Sequence, residues 1–199
     1  MDENIKIEIL EKAKAWWRDS LADSHKKNTL KLKSVKEFAP NPFLWSYLAY
    51  FLEGKNDAES IAKVLIYPRV LGTSINTSFG MGIQQLVTTM FEGISGSTTP
   101  GIDIEYIDKV DGRKKYCQLK AGPNVINRDD VTTIKGHFRT AINLARQNHL
   151  RTSHDDYVFG LIYGEQDQKN SFIKEVEEDY PVLVGKDFWY HFTGDPDFY

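Results

Sequence analysis

Apolar positions recur at three- and four-residue intervals through the first third of the chain, and at two-residue intervals further on. Ile9, Ala13, Trp16, Trp17 and Leu21 share one side of an expected helix. The stretch DSHKKNTLKLKSVKEF that follows is polar and basic with isolated apolar residues. Asn41 can cap a helix that starts at Pro42, runs through FLWSYLAYFLE and stops at Gly54. Asp57 can cap another, AESIAKVLIY, ended near Pro68. A further helix is predicted from about Met81 to Glu92, with Ile83, Leu86, Val87, Met90 and Phe91 on one side.

The texture then changes. GISGSTTPG reads as a loop, and IDIEYI alternates as a strand. Asp111-Gly112 marks a tight turn, from which KKYCQLK returns as a second strand. After the loop AGPNVIN, Asp129 or Asp130 caps a long helix, VTTIKGHFRTAINLARQ. DYVFGLIYG is apolar enough for a central strand. SFIKEVEED predicts a short helix, VLVG a short strand and KDFWYHF a closing helix. The order predicts an α/β fold: a small mixed β-sheet sandwiched by helices over residues 76–199, preceded by a helical annex over residues 1–75.

Composition narrows the class. A chain of 199 residues, 41% apolar and 27% charged, can bury one ordinary core and is not a disordered one. The longest apolar runs fall well short of the roughly 18 residues that a membrane span requires. The acidic, helical start differs from a secretory signal. A single cysteine, Cys117, excludes an intrachain disulfide and a cysteine-based zinc site. These features predict a soluble, cytoplasmic protein with no membrane partner. The net charge of −3 is unevenly spread. Residues 1–70 carry +2, residues 71–154 carry +3 and residues 155–199 carry −8. A mildly basic front with an acidic back is compatible with a polyanionic partner, and is common without one.

The residues that could do chemistry are Asp103 on the first strand, with Gln118 and Lys120 on the second. Gln118 and Lys120 point to one face of their strand, and Leu119 and Cys117 to the other. If the turn closes a hairpin, a carboxylate, an amide oxygen and an ammonium converge at one end of it. That set suits metal-assisted attack on a phosphodiester. A hard divalent ion held through oxygen polarises the phosphate and acidifies a water, and a lysine orients that water or offsets developing charge. Taken alone, Asp at a strand start and Lys at a strand end are also common surface features. The small, Gly-rich loops GSTTPG and AGPN at the same end would allow close backbone approach to a ligand. The five histidines show no metal-ligand spacing and read as structural or surface residues.

GIDIEYI followed by CQLKAG resembles the PD-(D/E)XK nuclease superfamily, in the variant where Gln replaces the acidic residue before X-Lys. Methylation-dependent Mrr-type endonucleases show a similar Gln-X-Lys. Longer segments are similar to the PmeII-like type II restriction endonucleases: NTLKLKSVKEF, NPFLWSYLAYFL, ESIAKVLIYPRVLGTSINTSFG, GSTTPGIDIEYID, GRKKYCQLKAGPNVINRDDV and FWYHFTGD. The resemblance implies a restriction-endonuclease-like fold and Mg2+-dependent, sequence-specific hydrolysis of double-stranded DNA, leaving a 5′-phosphate and a 3′-hydroxyl. Alternatives are a modification- or structure-dependent defence nuclease of the same superfamily, or an inactive DNA-binding module.

Carried over residue by residue, the resemblance implies that Asp103 binds Mg2+, that Gln118 ligates the ion or its water, and that the Leu119 main-chain carbonyl is a further ligand. Lys120 matches the catalytic lysine. Glu92, at the end of the preceding helix, stands where an extra acidic residue is often found, and Glu105 is its rival for that role. A neutral glutamine holds the ion less tightly than glutamate would, which favours one metal over two. Ser97, Thr98 and Thr99 before the metal strand, Asn124, Asn127 and Arg128 after the lysine, and Asn76 in TSINTSFG, read as a polar loop, are the candidate DNA contacts. Ordinary turns and helix caps explain the same residues. A palindromic site further implies a homodimer, with contacts through the annex, and a cognate DNA methyltransferase in the same restriction-modification system.

Overall fold

The computed structural model describes residues 1–39 and 41–199, with Pro42 by its backbone alone. The chain divides into two compact units, Lys14–Gly82 and a second formed by Met1–Ala13 with Ile83–Tyr199. Among the described residues no helix is long and apolar enough to cross a membrane.

The unit Lys14–Gly82 is helical. It takes the end of α1 (Glu3–Trp16), then α2 (Asp23–Lys31), α3 (Pro42–Glu53), α4 (Ala58–Pro68) and the start of α5 (Ile75–Met90). The Asn41 side chain accepts the Phe43 N–H at 3.0 Å, and Gly54 closes the helix in a left-handed conformation, as the sequence pattern requires. Asp57 caps α4 by accepting both the N–H and the hydroxyl of Ser60, at 2.9 and 2.7 Å. Those bonds, with Lys55, hold its carboxyl well below the usual range.

One expectation holds and another fails here. α4 ends at Pro68, as the sequence predicts. A π-helical turn over Arg69–Ser74 follows it and leads directly into α5, so the wider turn takes up the backbone misfit that proline introduces. In consequence Asn76, Thr77 and Ser78 lie in the first turns of a helix that runs from Ile75 to Met90, and not in a loop. Packing explains why a Gly-, Ser- and Thr-rich stretch stays helical. Phe79 meets Trp16 and Trp17 at centroid distances of 6.4 and 6.0 Å, and Ser78 accepts from Asn28.

The other unit carries a five-stranded sheet in chain order. The strands are β1 (Ser95–Gly96), β2 (Ile104–Ile107), β3 (Lys114–Lys120), β4 (Tyr157–Leu161) and β5 (Val182–Val184). β1, β2 and β3 pair antiparallel, whereas β3, β4 and β5 pair parallel. The parallel pairs need crossovers, supplied by α6 (Arg128–Gln147) and α7 (Ser171–Glu177). A closing helix, α8 (Lys186–Thr193), follows β5. This is the expected mixed sheet with flanking helices. α6 buries Val131, Ile134, Phe138 and Ala141 in one core with Tyr157, Phe159 and Leu161. On the opposite face Tyr106 packs on Phe192 of α8, and Gly160 leaves room for Cys117 and Phe188. Cys117 is fully buried, as its place opposite Gln118 predicts.

α6 is capped differently from the expectation. Asn127 accepts the N–H groups of Asp129 and Asp130, and Asp130 returns the bond to the Asn127 N–H at 2.9 Å. The two aspartates occupy the first turn instead of the cap, where a carboxylate near the exposed N–H groups is also favourable.

At the turn end of the β2–β3 hairpin Lys115 is buried among carboxylates. Its amine donates to Asp111 at 2.6 Å and to the Asp155 carbonyl at 3.2 Å, with Asp156 and Asp108 at 3.8 and 3.9 Å. Asp108 is held further by His191, and Asp156 by Arg113. Removing the shared cation leaves buried carboxylates facing one another. Lys115→Met should therefore lower unfolding stability by about 3 kcal/mol or more. Lys114→Met, which breaks a half-exposed pair with Glu105, should lower it by less than about 1 kcal/mol. Urea denaturation of both variants checks this, and equal losses would contradict it.

Candidate functional site

The end of the hairpin away from that turn carries the candidate chemistry. β2 begins at Ile104, and the Asp103 N–H just before it donates to the Cys117 carbonyl at 2.9 Å. Ile104 pairs with Cys117 too, so both residues lie against Cys117, as in a bulge at the start of β2. Gln118 and Lys120, two apart on β3, share a face of the sheet, and Lys120 acts on the Asp103 carboxyl. Asp103 is thus tied to β3 through Cys117 and Leu119, at the strand end that carries Gln118 and Lys120.

Three further bonds fix Asp103. Its Oδ2 accepts the Leu119 N–H at 2.6 Å. Its main-chain carbonyl accepts from Gln84 Nε2 of α5 at 2.6 Å and from the Ser97 N–H at 3.1 Å. Gly96 makes the first of these possible, since a Cβ there would lie 2.8 Å from the Gln84 amide nitrogen. The Leu119 carbonyl leaves β3 on the same edge as its N–H, which is the edge of the Asp103 carboxylate. Oxygens of residues 103 and 119 thus lie at one strand end, while the Gln118 amide oxygen lies toward His137 of α6.

α6 closes over this end. Asp130 Oδ1 lies 3.7 Å from Lys120 Nζ, and His137 Nδ1 lies 3.4 Å from Gln118 Oε1. Gln118 is buried, at 9% exposure. Burial pushes the Asp103 carboxyl above its ordinary value, against the opposing pull of the Leu119 N–H, Lys120 and His137. Glu105 behaves differently. Burial alone would raise it, but Lys114 at 2.7 Å and the Ser97 hydroxyl at 2.6 Å outweigh that and hold it low.

The other sequence candidates fall in several places. Ser97 faces inward, donating to Glu105 and accepting the Thr99 N–H at 3.0 Å, while Thr98 stays exposed. Asn124 is exposed in the turn after Lys120. Asn127 is the α6 cap beside the Lys120–Asp130 contact, so it does lie at the site. Arg128 turns to Glu175, with Nη1 at 2.7 and 2.6 Å from the two carboxylate oxygens. Asn76 is exposed and belongs to the helical unit. Glu92 does not join Asp103. It lies in the turn after α5, exposed, 3.7 Å from Lys12, in a cavity of about 650 Å³ shared with Ile107 and Lys109 at the far end of β2. Gln84, Asp130 and His137 escaped the reading of the sequence. Asp130 and His137 flank the buried stripe Val131, Ile134, Phe138 and Ala141 of α6, and that stripe was the signal that could have found them.

The donor set tests whether a metal ion would fit. One half-buried carboxylate, one amide oxygen and one main-chain carbonyl are hard oxygen ligands of the kind Mg2+ takes, in a number that leaves several positions to water or phosphate. Among the described residues no three His, Cys, Asp or Glu side chains cluster to hold a metal by themselves.

The mixed sheet with its flanking helices and this hairpin end define a restriction-endonuclease-like fold. A family model described as type II restriction endonuclease EcoO109I matches residues 18–199. The chain belongs to that family, which is one of site-specific nucleases that cleave DNA. The match does not single out the PmeII-like enzymes. No curated protein gives a significant match to the chain.

Burial of Asp103 also bears on stability. A carboxyl raised in the folded state binds more protons there than in the unfolded chain, so stability falls as pH rises through its raised pKa. Asp103→Asn removes that titration and can still accept from Leu119. Without metal or DNA, the variant should melt above the wild type at about pH 7, with the gap shrinking toward about pH 3, below the usual carboxylate range. A gap that widens toward low pH in calorimetry would contradict the desolvation of Asp103.

Proposed function

We propose that the protein is a Mg2+-dependent endonuclease that hydrolyses phosphodiesters of double-stranded DNA at a specific sequence, leaving 5′-phosphate and 3′-hydroxyl ends. The observation that carries this reading is the Asp103 carboxylate bonded to the Leu119 N–H, between Gln118 and Lys120 of β3, in a chain of a restriction endonuclease family. Asp103, the Gln118 amide oxygen and the Leu119 carbonyl would hold the ion. Bound there, Mg2+ supplies charge that polarises the phosphate and acidifies a water. Lys120 orients the attacking water and offsets charge building on the phosphate oxygens. Asn127 and Asn124 stand beside the lysine as candidate base-edge or phosphate contacts, with Thr98 on the loop before Asp103.

The finer resemblance to the PmeII-like enzymes belongs to this reading, as does work in the cytoplasm beside a cognate DNA methyltransferase. So does a homodimer, one active site per strand. The exposed aromatic side of α3, with Phe43, Tyr47, Tyr50 and Phe51 each more than half exposed, supports contact through the annex. Tyr47→Lys with Phe51→Glu should shift a dimer to a monomer in sedimentation velocity. An unchanged sedimentation coefficient would remove α3 from the interface.

Digestion of a mapped, unmethylated plasmid with Mg2+, followed by end sequencing, tests the activity. Discrete fragments with one sequence at every end are expected. Cleavage confined to methylated or branched DNA would favour the modification- or structure-dependent alternative, and binding without cleavage the inactive module. Asp103→Ala and Lys120→Ala should each lower the rate by roughly 10²-fold or more while leaving the circular dichroism spectrum unchanged. Gln118→Glu should retain activity. Full activity in either alanine variant would overturn the assignment of the site.

A further inference from the structure

Gln118 poses a problem that a carboxylate at the same position would not. A carboxylate offers an oxygen whichever way it turns. An amide offers oxygen at one end and two N–H donors at the other, and a hard cation accepts only the oxygen. A half turn about the last side-chain bond exchanges the two ends. A neighbour must therefore decide which end faces Asp103.

α6 supplies that neighbour. His137 Nδ1 lies 3.4 Å from the Gln118 amide oxygen, at a residue largely closed to water. His137 is itself held, because its ring lies against Gly101, which has φ of 80° and where a Cβ would come within 2.1 Å of the imidazole. Seven residues earlier on α6, about 10 Å along the axis and on the same side, Asp130 meets Lys120. α6 thus follows β3 in reverse, with one polar residue set beside each of the two candidate site residues.

We infer that His137 is a positioning residue for Gln118: its unprotonated Nδ1 accepts a hydrogen bond from the amide N–H, and this turns the amide oxygen toward the Asp103 carboxylate. The contact is the one in the structure with the amide rotated by a half turn. With the oxygen kept against the imidazole, the NH2 group faces the ligand oxygens and opposes a cation. The inference rests on the nuclease reading in one respect, that Gln118 is a metal ligand. It gives the substitution of glutamine for an acidic residue a requirement of its own, a partner that chooses one end.

The test is a double-mutant cycle read by calorimetric titration of Mn2+ into the metal-free full chain, without DNA. His137→Leu should weaken Mn2+ binding about tenfold or more when residue 118 is glutamine. In the Gln118→Glu background the same change should weaken it less than about twofold, since glutamate presents oxygen in either orientation. His137→Asn, whose side-chain oxygen can replace Nδ1 as acceptor, should recover most of the lost affinity. Melting curves confirm that each variant is folded. Equal weakening in both backgrounds overturns the inference, because a residue that only packs α6 would act alike in both, and so does no weakening in either. Wild type that binds Mn2+ no better than Asp103→Ala overturns the metal centre itself and the inference with it.

Discussion

The short hydrogen bond from the Leu119 N–H to the Asp103 carboxylate, at 2.6 Å, fixes where the candidate chemistry sits. Just before β2, Asp103 is bonded to β3 through its own N–H, and to Ser97 and Gln84 through its carbonyl, as well as through its side chain. A carboxylate tied at three points cannot swing out to water. Its negative charge is therefore carried in a place that disfavours it, and burial shows as a raised pKa. What offsets the burial is what surrounds it: one oriented backbone donor, and the Lys120 and His137 side chains. Each of these comes from an element adjoining the hairpin or from the hairpin itself, so the site is a property of how β3 is paired and covered.

β3 shows how one strand serves two tasks. Its odd-numbered residues face α8, where Lys115 is enclosed by Asp108, Asp111 and Asp156, and Cys117 is sealed beneath Gly160. Its even-numbered residues face α6, where Tyr116 joins the core and Gln118 and Lys120 meet polar groups. The period of two separates an ion-pair network at the turn end from the candidate site at the other end. A one-residue slip of register would exchange the faces and bury Lys120 where Leu119 now packs. The hydrophobic stripe of α6 and the full burial of β4 hold that register from either side.

Elements whose signals are local were legible in the sequence. Asn41 before Pro42 and Gly54 after Glu53 mark both ends of α3 without reference to anything distant. β3 and β4 follow from alternation and apolarity. The elements that were misread depend on packing between distant segments. Asn127, Asp129 and Asp130 are all good capping residues, and the choice among them turns on where Ile126 is anchored in the core. The helical course of the Ser- and Thr-rich stretch after Pro68 persists because Phe79 and Ser78 find partners on α1, on the turn after it and on α2. β1 is two residues long and is defined only by pairing with β2. The site divides in the same way. Asp103, Gln118 and Lys120 follow from one hairpin and the period of a strand. His137 and Asp130 come from a helix whose register against β3 no local pattern states.

The glutamine also has an electrostatic consequence for the proposed activity. Gln118 contributes no charge, and the two acidic residues that could have compensated are engaged elsewhere. Glu105 is held by Lys114 and Ser97, and Glu92 lies at the far end of β2 beside Lys12. Asp130 lies against Lys120 and accepts the Asn127 N–H in the first turn of α6, so its charge is partly answered already. A divalent ion held by Asp103 alone would leave a net positive site in a partly buried pocket, where an unbalanced charge is disfavoured. The group that completes the balance is an anion, and a phosphate of the DNA backbone brings one. On this reading the metal is held in the free protein and more firmly with DNA in place. Cleavage is then tied to the presence of substrate by the charge of the site itself, before any base is read.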